Sequence, residues 1–290
     1  MDLKKNKPLK NLTTFRIGGP AKYFVAASDL QELKDALAFA KKNKLPVFAL
    51  GAGSNILVSD RGFPGLVIKL VGDFRGLDIS GIKITAGAGL RVSELLRTAC
   101  SNSLSGLEFM TGIPGTVGGA VVMNAGVGKA AIGHLISWVD VLDGKGKRHR
   151  LRQKDLEFGY RRSILRKRKY VVIEAGFKAL KKSNSEEIRK RMNGLMKKRL
   201  ESQPYNRPSA GSFFKNPAGQ QAWQLIDGAG LRGARVGDAE VSKKHANFII
   251  NRKNARAEDV LALATKVRNK VKKLSQVSLQ PEVIIVSPTH

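Results

Sequence analysis

Acidic residues are scarce in this chain: 23 Asp and Glu stand against 52 Lys and Arg, leaving a formal net charge of +29 over 290 residues. Cysteine is nearly absent. Cys100 is alone, which excludes an internal disulfide and a cysteine-rich metal site and fits a reducing compartment. The four histidines are scattered without ligand spacing, so no metal centre is expected. No stretch approaches the roughly 18 uninterrupted apolar residues that a spanning helix needs. The opening MDLKKNKPLKNL lacks the apolar middle of a signal peptide, and the cytoplasm is the expected location.

The excess of positive charge invites a nucleic-acid reading, but its distribution argues against one. Basic residues are dense over 145–169 and 178–199, where aromatics are sparse and no nucleic-acid motif occurs. A solvated basic face is the expected reading, one whose field would also steer small anionic substrates, and no specific nucleic-acid partner is expected.

Glycine, by contrast, is abundant and clustered. From Glu108 to Gly126 the chain reads EFMTGIPGTVGGAVVMNAG, with Gly112, Gly115, Gly118 and Gly119 stripping side chains from a segment that also carries Thr111 and Thr116. Such a loop suits close approach to a flat or phosphorylated ligand, although tight turns between strands would use the same residues. A second cluster, Gly51-Ala52-Gly53-Ser54-Asn55, follows the expected strand 46–50 and offers bare amides to a pyrophosphate. GAGSNIL lacks the third spaced glycine of the dinucleotide fingerprint, and no Gly-Lys-Ser/Thr makes it a P-loop.

Between these loops the periodicities predict strands at 22–26, 56–58, 66–70, 82–86, 134–142, 147–151, 170–179, 247–251 and 281–286. Asp143-Gly144 is a hairpin signal. A helix is expected from a Ser28 cap with Gln31 three residues on, another from Ser93 to about Ser101, and a basic one opened by Ser183 with Glu186. The last should bury Ile188, Met192, Leu195, Met196 and Leu200. A short helix is expected at 220–226, and a long one at 257–274 with Val260, Leu261, Ala264, Val267, Val271 and Leu274 on its apolar face.

Seven motifs, NLTTFRIGG, GAGSNILVSD, GLEFMTGIPGTVGGAVVMNAG, FGYRRSIL, PSAGSFFKNP, KHANFIIN and LQPEV, run through nearly the whole chain. In order and spacing the chain resembles the UDP-N-acetylenolpyruvoylglucosamine reductases of peptidoglycan precursor synthesis. The short interval between Tyr170 and PSAGS is similar to the family's shorter, second subtype. The resemblance implies an α+β fold: an FAD-binding domain of the vanillyl-alcohol oxidase type in two α+β subdomains, 1–72 and 73–182, and an α+β substrate-binding domain, 183–290. It implies reduction of UDP-N-acetylglucosamine enolpyruvate to UDP-N-acetylmuramate, with noncovalent FAD and NADPH as hydride donor. A monomer is the expected state.

By the same resemblance Arg161, Ser212 and Glu282 match the catalytic arginine, proton donor and glutamate, and Tyr160, Lys215 and Asn216 lie toward the substrate. Gly51, Gly53, Ser54 and Asn55 would cradle the pyrophosphate, and Thr111, Gly112, Gly115, Gly118 and Gly119 would lie along the flavin and ribityl chain. Hydride reaching the vinyl CH2 leaves charge on the adjacent carbon and its carboxylate, which demands cationic support and a proton source. Taken singly, Ser212 reads equally as a turn hydroxyl, Glu282 as a solvated strand end, and Arg161 as one more cation beside Arg162. An oxidase of the same fold is the enzymatic rival, disfavoured by PSAGSFFKNP and by the lack of a covalent flavin attachment motif.

Overall fold

The computed structural model describes residues 1–178 and 180–287. Two compact units, each discontinuous in sequence, make up the chain: residues 1–4, 23–52 and 65–198 form the first, and 5–22, 53–64 and 199–290 the second. Both mix helices with sheets, an α+β architecture. Among the described residues no helix is long and apolar enough to cross a membrane.

A four-stranded sheet runs in the order Leu3–Pro8, Pro20–Ala27, Phe63–Leu70, Val47–Ala49, with the last two parallel. The first of these strands lies in the basic leader, where alternating lysines hid it. In the first unit the helix Leu30–Lys42 packs Leu33, Ala36, Leu37 and Ala40 with Val25, Leu66 and Ile68. Its cap is not Ser28 but Asp29, whose Oδ1 accepts from Glu32 N at 2.9 Å while Glu32 Oε2 accepts from Ser28 N at 2.9 Å. The box is displaced by one residue because carboxylates here supply both acceptors.

The larger sheet of this unit is antiparallel throughout, ordered Arg148–Arg152, Ile136–Leu142, Val171–Phe177, Lys83–Gly87, Leu77–Ser80. The expected strand 170–179 ends at Phe177, and Ala179 lies outside the described residues. Helices Val92–Ser101 and Val117–Val122 contribute Leu95, Leu96, Val117 and Val121 to the sheet's core. The turn after Leu142 is longer than Asp143-Gly144 implied: Asp143 Oδ1 accepts from Lys145 N and Lys147 N, and Gly146 takes the positive φ of 78°. Arg148 and Arg150 of the edge strand converge on Asp140, which is 1% exposed. Burial pushes that carboxyl up, but hydrogen bonds from Arg150 and Arg148 outweigh it and hold the group below the usual carboxylate range.

The helix Ser185–Ser202 begins where Asn184 Oδ1 accepts from Glu186 N at 2.8 Å. Its expected stripe is buried only at the start. Ile188 is buried and Met192 packs against the core, whereas Leu195 and Met196 are half-buried and Leu200 is 46% exposed.

In the second unit an antiparallel sheet runs Ser209–Ser212, Phe248–Asn251, Ala239–Val241, Arg235–Val236. Ile284–Val286 pairs in parallel with Ile56–Val58. The helix Ala257–Ser275 packs Val260, Leu263, Ala264, Val267 and Val271 into a core with Phe15, Phe213 and Phe214. Leu261 and Leu274, expected inward, are 39% and 61% exposed. Leu261 sits about 100° around the helix from Val260, and Leu263 takes the inward place. The helix start is capped from far along the chain: Asp60 Oδ1 accepts from Ala257 N and Oδ2 from Glu258 N, at 2.8 and 3.1 Å. Such a carboxylate offsets the helix dipole and satisfies two otherwise orphaned donors.

Candidate functional site

The glycine segment is not all loop. Val117–Val122 is a helix whose N-cap Thr116 accepts from Gly119 N at 3.4 Å, so part of the crowding serves helix packing. Each glycine has a different neighbour. A Cβ on Gly118 would stand 2.8 Å from the Cβ of Ala88, which is too close. A Cβ on Gly51 would meet Thr116 Oγ1 at 2.7 Å, whereas one on Gly119 would meet only that same oxygen, at 3.5 Å. Gly112 needs its positive φ of 74°, and the Gly115 carbonyl accepts from Val92 N at 3.1 Å. Thr111 is 7% exposed, and its hydroxyl has no hydrogen-bond partner among the described residues. A buried hydroxyl left unpaired costs about 1–3 kcal/mol, so the segment presents an acceptor-donor group awaiting a polar ligand atom.

Past that helix the same segment anchors the FGYRRS loop. Gly159 and Arg162 exchange both backbone hydrogen bonds, at 3.0 and 3.1 Å, leaving Tyr160 and Arg161 as a two-residue turn. Arg161 adopts φ 53°, a left-handed conformation that costs a residue with a Cβ about 1–2 kcal/mol. Its Nη2 donates to the Gly126 carbonyl at 3.1 Å, and its guanidinium lies 5.0 Å from the Tyr160 ring centroid. Tyr160 and Arg161 line an open cavity of about 580 Å³ with Asn124, Lys129, Gln153 and Phe158. Asn124 was not singled out in the sequence, yet it ties this loop down. It follows the helix in the left-handed conformation, φ 45°, and the Ala125 N to Ala120 O bond closes the helix end behind it. An asparagine at that position is a helix-ending signal, legible only once VGGAVV is read as a helix.

The second unit assembles the other group. Ser212 ends the strand Ser209–Ser212 opposite Phe248, after a bulge at which Gly211 has φ 78°. The neighbouring backbone binds the C-terminal strand: Glu282 N donates to Phe213 O at 2.8 Å, and Lys215 N to Gln280 O at 2.8 Å. Ser212 and Glu282, 70 residues apart in sequence, are thus carried on neighbouring stretches of backbone, joined also by an isolated bridge between Phe214 and Pro281; the strand expected over 281–286 begins only at Ile284, so Glu282 stands just ahead of it. The second glycine loop joins them, since Asn55 Nδ2 donates to Glu282 O at 3.3 Å and Ile284 N to Asn55 O at 3.0 Å. Gly53, φ 65°, has no room for a Cβ, which would fall 2.2 Å from Leu12 O. Ser54 lies between these two anchored residues.

Lys215 is half-buried; Asn216 is exposed, with its Oδ1 accepting from Ala222 N and its Nδ2 donating to Gln221. Asn247 holds Phe214 by both backbone groups, at 2.9 and 2.8 Å, and in turn donates its own N–H to His245 Nδ1 at 3.3 Å. Burial, reinforced by Arg232, keeps the His245 pKa below the ordinary histidine value. Arg161, Tyr160, Gly51 and the 111–119 segment therefore belong to the first unit, and Gly53, Ser54, Asn55, Ser212, Lys215, Asn216 and Glu282 to the second.

FAD fits what these residues offer. The orphan hydroxyl of Thr111 wants a polar ligand atom, and Gly119, eight residues on, leaves exposed backbone uncovered by a side chain. Residues 21–152 match the family described as FAD binding domain. Residues 203–286 match UDP-N-acetylenolpyruvoylglucosamine reductase, C-terminal domain. The UDP-N-acetylenolpyruvoylglucosamine reductase of Clostridium novyi is 44% identical over 98% of this chain and 92% of its own. That of Caldanaerobacter subterraneus is 42% identical over 97% and 92%. The crystal structure of UDP-N-acetylenolpyruvylglucosamine reductase (MurB) from Thermus caldophilus matches with a TM-score of 0.85 at 40% identity, covering 98% of each chain. These relatives cover both units nearly end to end, and the chain belongs to the UDP-N-acetylenolpyruvoylglucosamine reductase family.

Proposed function

We propose that this protein reduces UDP-N-acetylglucosamine enolpyruvate to UDP-N-acetylmuramate in peptidoglycan precursor synthesis, with NADPH as hydride donor. The observation that supports the reading is the junction of Asn55, Phe213 and Glu282, which ties the 51–55 glycine loop to the backbone beside Ser212 and to Glu282. FAD, when bound, accepts hydride from a nicotinamide and passes it to an electron-poor double bond. Gly51, Gly53, Ser54 and Asn55 would hold its pyrophosphate, and Thr111 with Gly112, Gly115, Gly118 and Gly119 would hold the flavin and ribityl chain.

Arg161 supports the charge that develops on the substrate carboxylate. Ser212 delivers a proton to the adjacent carbon; a hydroxyl can do so only toward a strongly basic, enolate-like carbon. Glu282, whose backbone bonds that of Phe213 next to the donor, orders it, and Tyr160, Lys215 and Asn216 bind the UDP-sugar. The three-part division at 1–72, 73–182 and 183–290, a monomeric state and a cytoplasmic location belong to the same reading.

The test is direct. A yellow protein should release its FAD on denaturation and be reduced by NADPH, and anaerobic stopped-flow should then show rapid flavin reoxidation on addition of the enolpyruvyl sugar. A protein that takes up no FAD on reconstitution refutes the reading, and so does one reoxidised by air but not by the sugar.

A further inference from the structure

Two groups of Asn124 are spent on the walls of the Arg161 loop. The side chain is buried, and its Nδ2 donates to the Gly159 carbonyl at 2.9 Å while its Oδ1 accepts from Gly133 N at 2.9 Å. The fit is close: a Cβ on Gly133 would lie 2.7 Å from that Oδ1 and 2.7 Å from the Phe158 ring. Gly159 is the residue that closes the two-residue turn carrying Arg161, so the carboxamide grips the turn at its hinge. A second stake stands on the far side, where the Ser163 hydroxyl donates to Val122 O at 2.7 Å. Arg161 itself reaches Gly126 O. All three anchors come from residues 122–126, directly after the segment assigned to the flavin.

We propose that Asn124 is a positioning residue: its carboxamide fixes the Gly159–Arg162 turn and so sets where the Arg161 guanidinium stands. The inference rests on the reading of Arg161 as the group that supports the developing charge. A long side chain on a two-residue turn is a lever, and small rotations of the turn sweep the guanidinium through distances that matter. Displacing a catalytic group by about 1 Å can cost roughly 100-fold in rate. The bound left-handed backbone at Arg161 has the same dependence, because such a conformation persists only where its surroundings over-determine it.

Asn124→Gly keeps the positive φ and deletes the carboxamide, while Asn124→Asp keeps the acceptor for Gly133 and loses the donor to Gly159. In each variant, FAD affinity and flavin reduction by NADPH should stay within about twofold. Reoxidation by the enolpyruvyl sugar should slow by roughly 10- to 100-fold at saturation, with a smaller change in half-saturating concentration. In the FAD-free protein, trypsin should cut the Tyr160–Arg162 turn faster than in the wild type, by about tenfold for each 1.4 kcal/mol of lost restraint.

The deciding measurement is a double-mutant cycle. If Asn124 acts through Arg161, Asn124→Gly or Asn124→Asp adds no further loss to Arg161→Ala. Additive losses, unchanged tryptic cleavage, or equal damage to both half-reactions would overturn the proposal. Wild-type reoxidation by Arg161→Ala alone would instead sink the role of Arg161 and the proposal with it. Should Asn124→Gly fail to fold, Asn124→Asp carries the cycle, because the Gly133 contact survives in it.

Discussion

Thr111 separates two states of this protein that other residues blur. Its hydroxyl is buried and has no hydrogen-bond partner among the described residues, a situation that costs about 1–3 kcal/mol. Thr111→Val replaces that hydroxyl with a methyl group of similar volume and should raise the stability of FAD-free protein by about that amount, or roughly 2–4 °C in melting temperature per kcal/mol. On the proposed reading the hydroxyl finds its partner in bound FAD, so valine gains nothing in the complex and strands a ligand atom. The difference closes as a thermodynamic cycle: whatever the apo protein gains, the complex fails to gain, and FAD affinity falls by at least about 1–3 kcal/mol, roughly 5- to 150-fold. Thermal melts of apo protein and a flavin-fluorescence titration of both forms measure the two legs. A stabilised apo protein with unchanged FAD affinity would show that the hydroxyl does not face the cofactor, and an apo protein that is not stabilised would show that it was never unpaired.

The neighbouring glycines should part company. Gly118→Ala drives a methyl into Ala88 and should destabilise the apo protein by about 1–3 kcal/mol, whereas Gly119→Ala should leave it unchanged or up to about 1 kcal/mol more stable and weaken FAD. Equal FAD affinity in Gly119→Ala and wild type would remove Gly119 from the cofactor face. Arg161→Gly relieves a left-handed residue with a Cβ, so melting should hold or rise while reoxidation by the enolpyruvyl sugar collapses; a parallel loss of both would mean the guanidinium is structural. Ser212→Ala should leave NADPH reduction of the flavin intact and slow the second half-reaction by roughly 10² to 10⁴, and fast reoxidation by the sugar would show that Ser212 is not the acid. His245 has a folded pKa below its unfolded value of about 6.5, so its contribution is full above that pH and is lost as pH falls toward the folded pKa, when Nδ1 can no longer accept from Asn247 N. Stability against pH should show this acid-side slope, and His245→Gln should flatten it.

What the sequence by itself determined is what neighbours within a few residues decide. The period of Val260, Ala264, Val267 and Val271 and the alternation read over 134–142 are local patterns; the helix Ala257–Ser275 followed from the first and the strand Ile136–Leu142, two residues shorter than read, from the second. The two glycine clusters marked where backbone would be bared. The order of seven motifs carried the family and, with it, Arg161, Ser212 and Glu282 as candidates. Tertiary structure decided which side of each glycine is occupied, because a missing Cβ has no direction until another chain segment stands against it. Gly118 faces Ala88, and Gly119 meets only Thr116 at 3.5 Å. Contacts between distant residues escaped for the same reason: Asp60 caps a helix 197 residues later, and Asn124 grips a carbonyl 35 residues on. Leu261 and Leu274 read as part of the helix's apolar face, yet burial depends on what packs against a helix at each azimuth and depth, and both stay exposed, at 39% and 61%. Local propensity is written between neighbours, whereas caps, clamps and open faces depend on which remote segments the fold brings alongside.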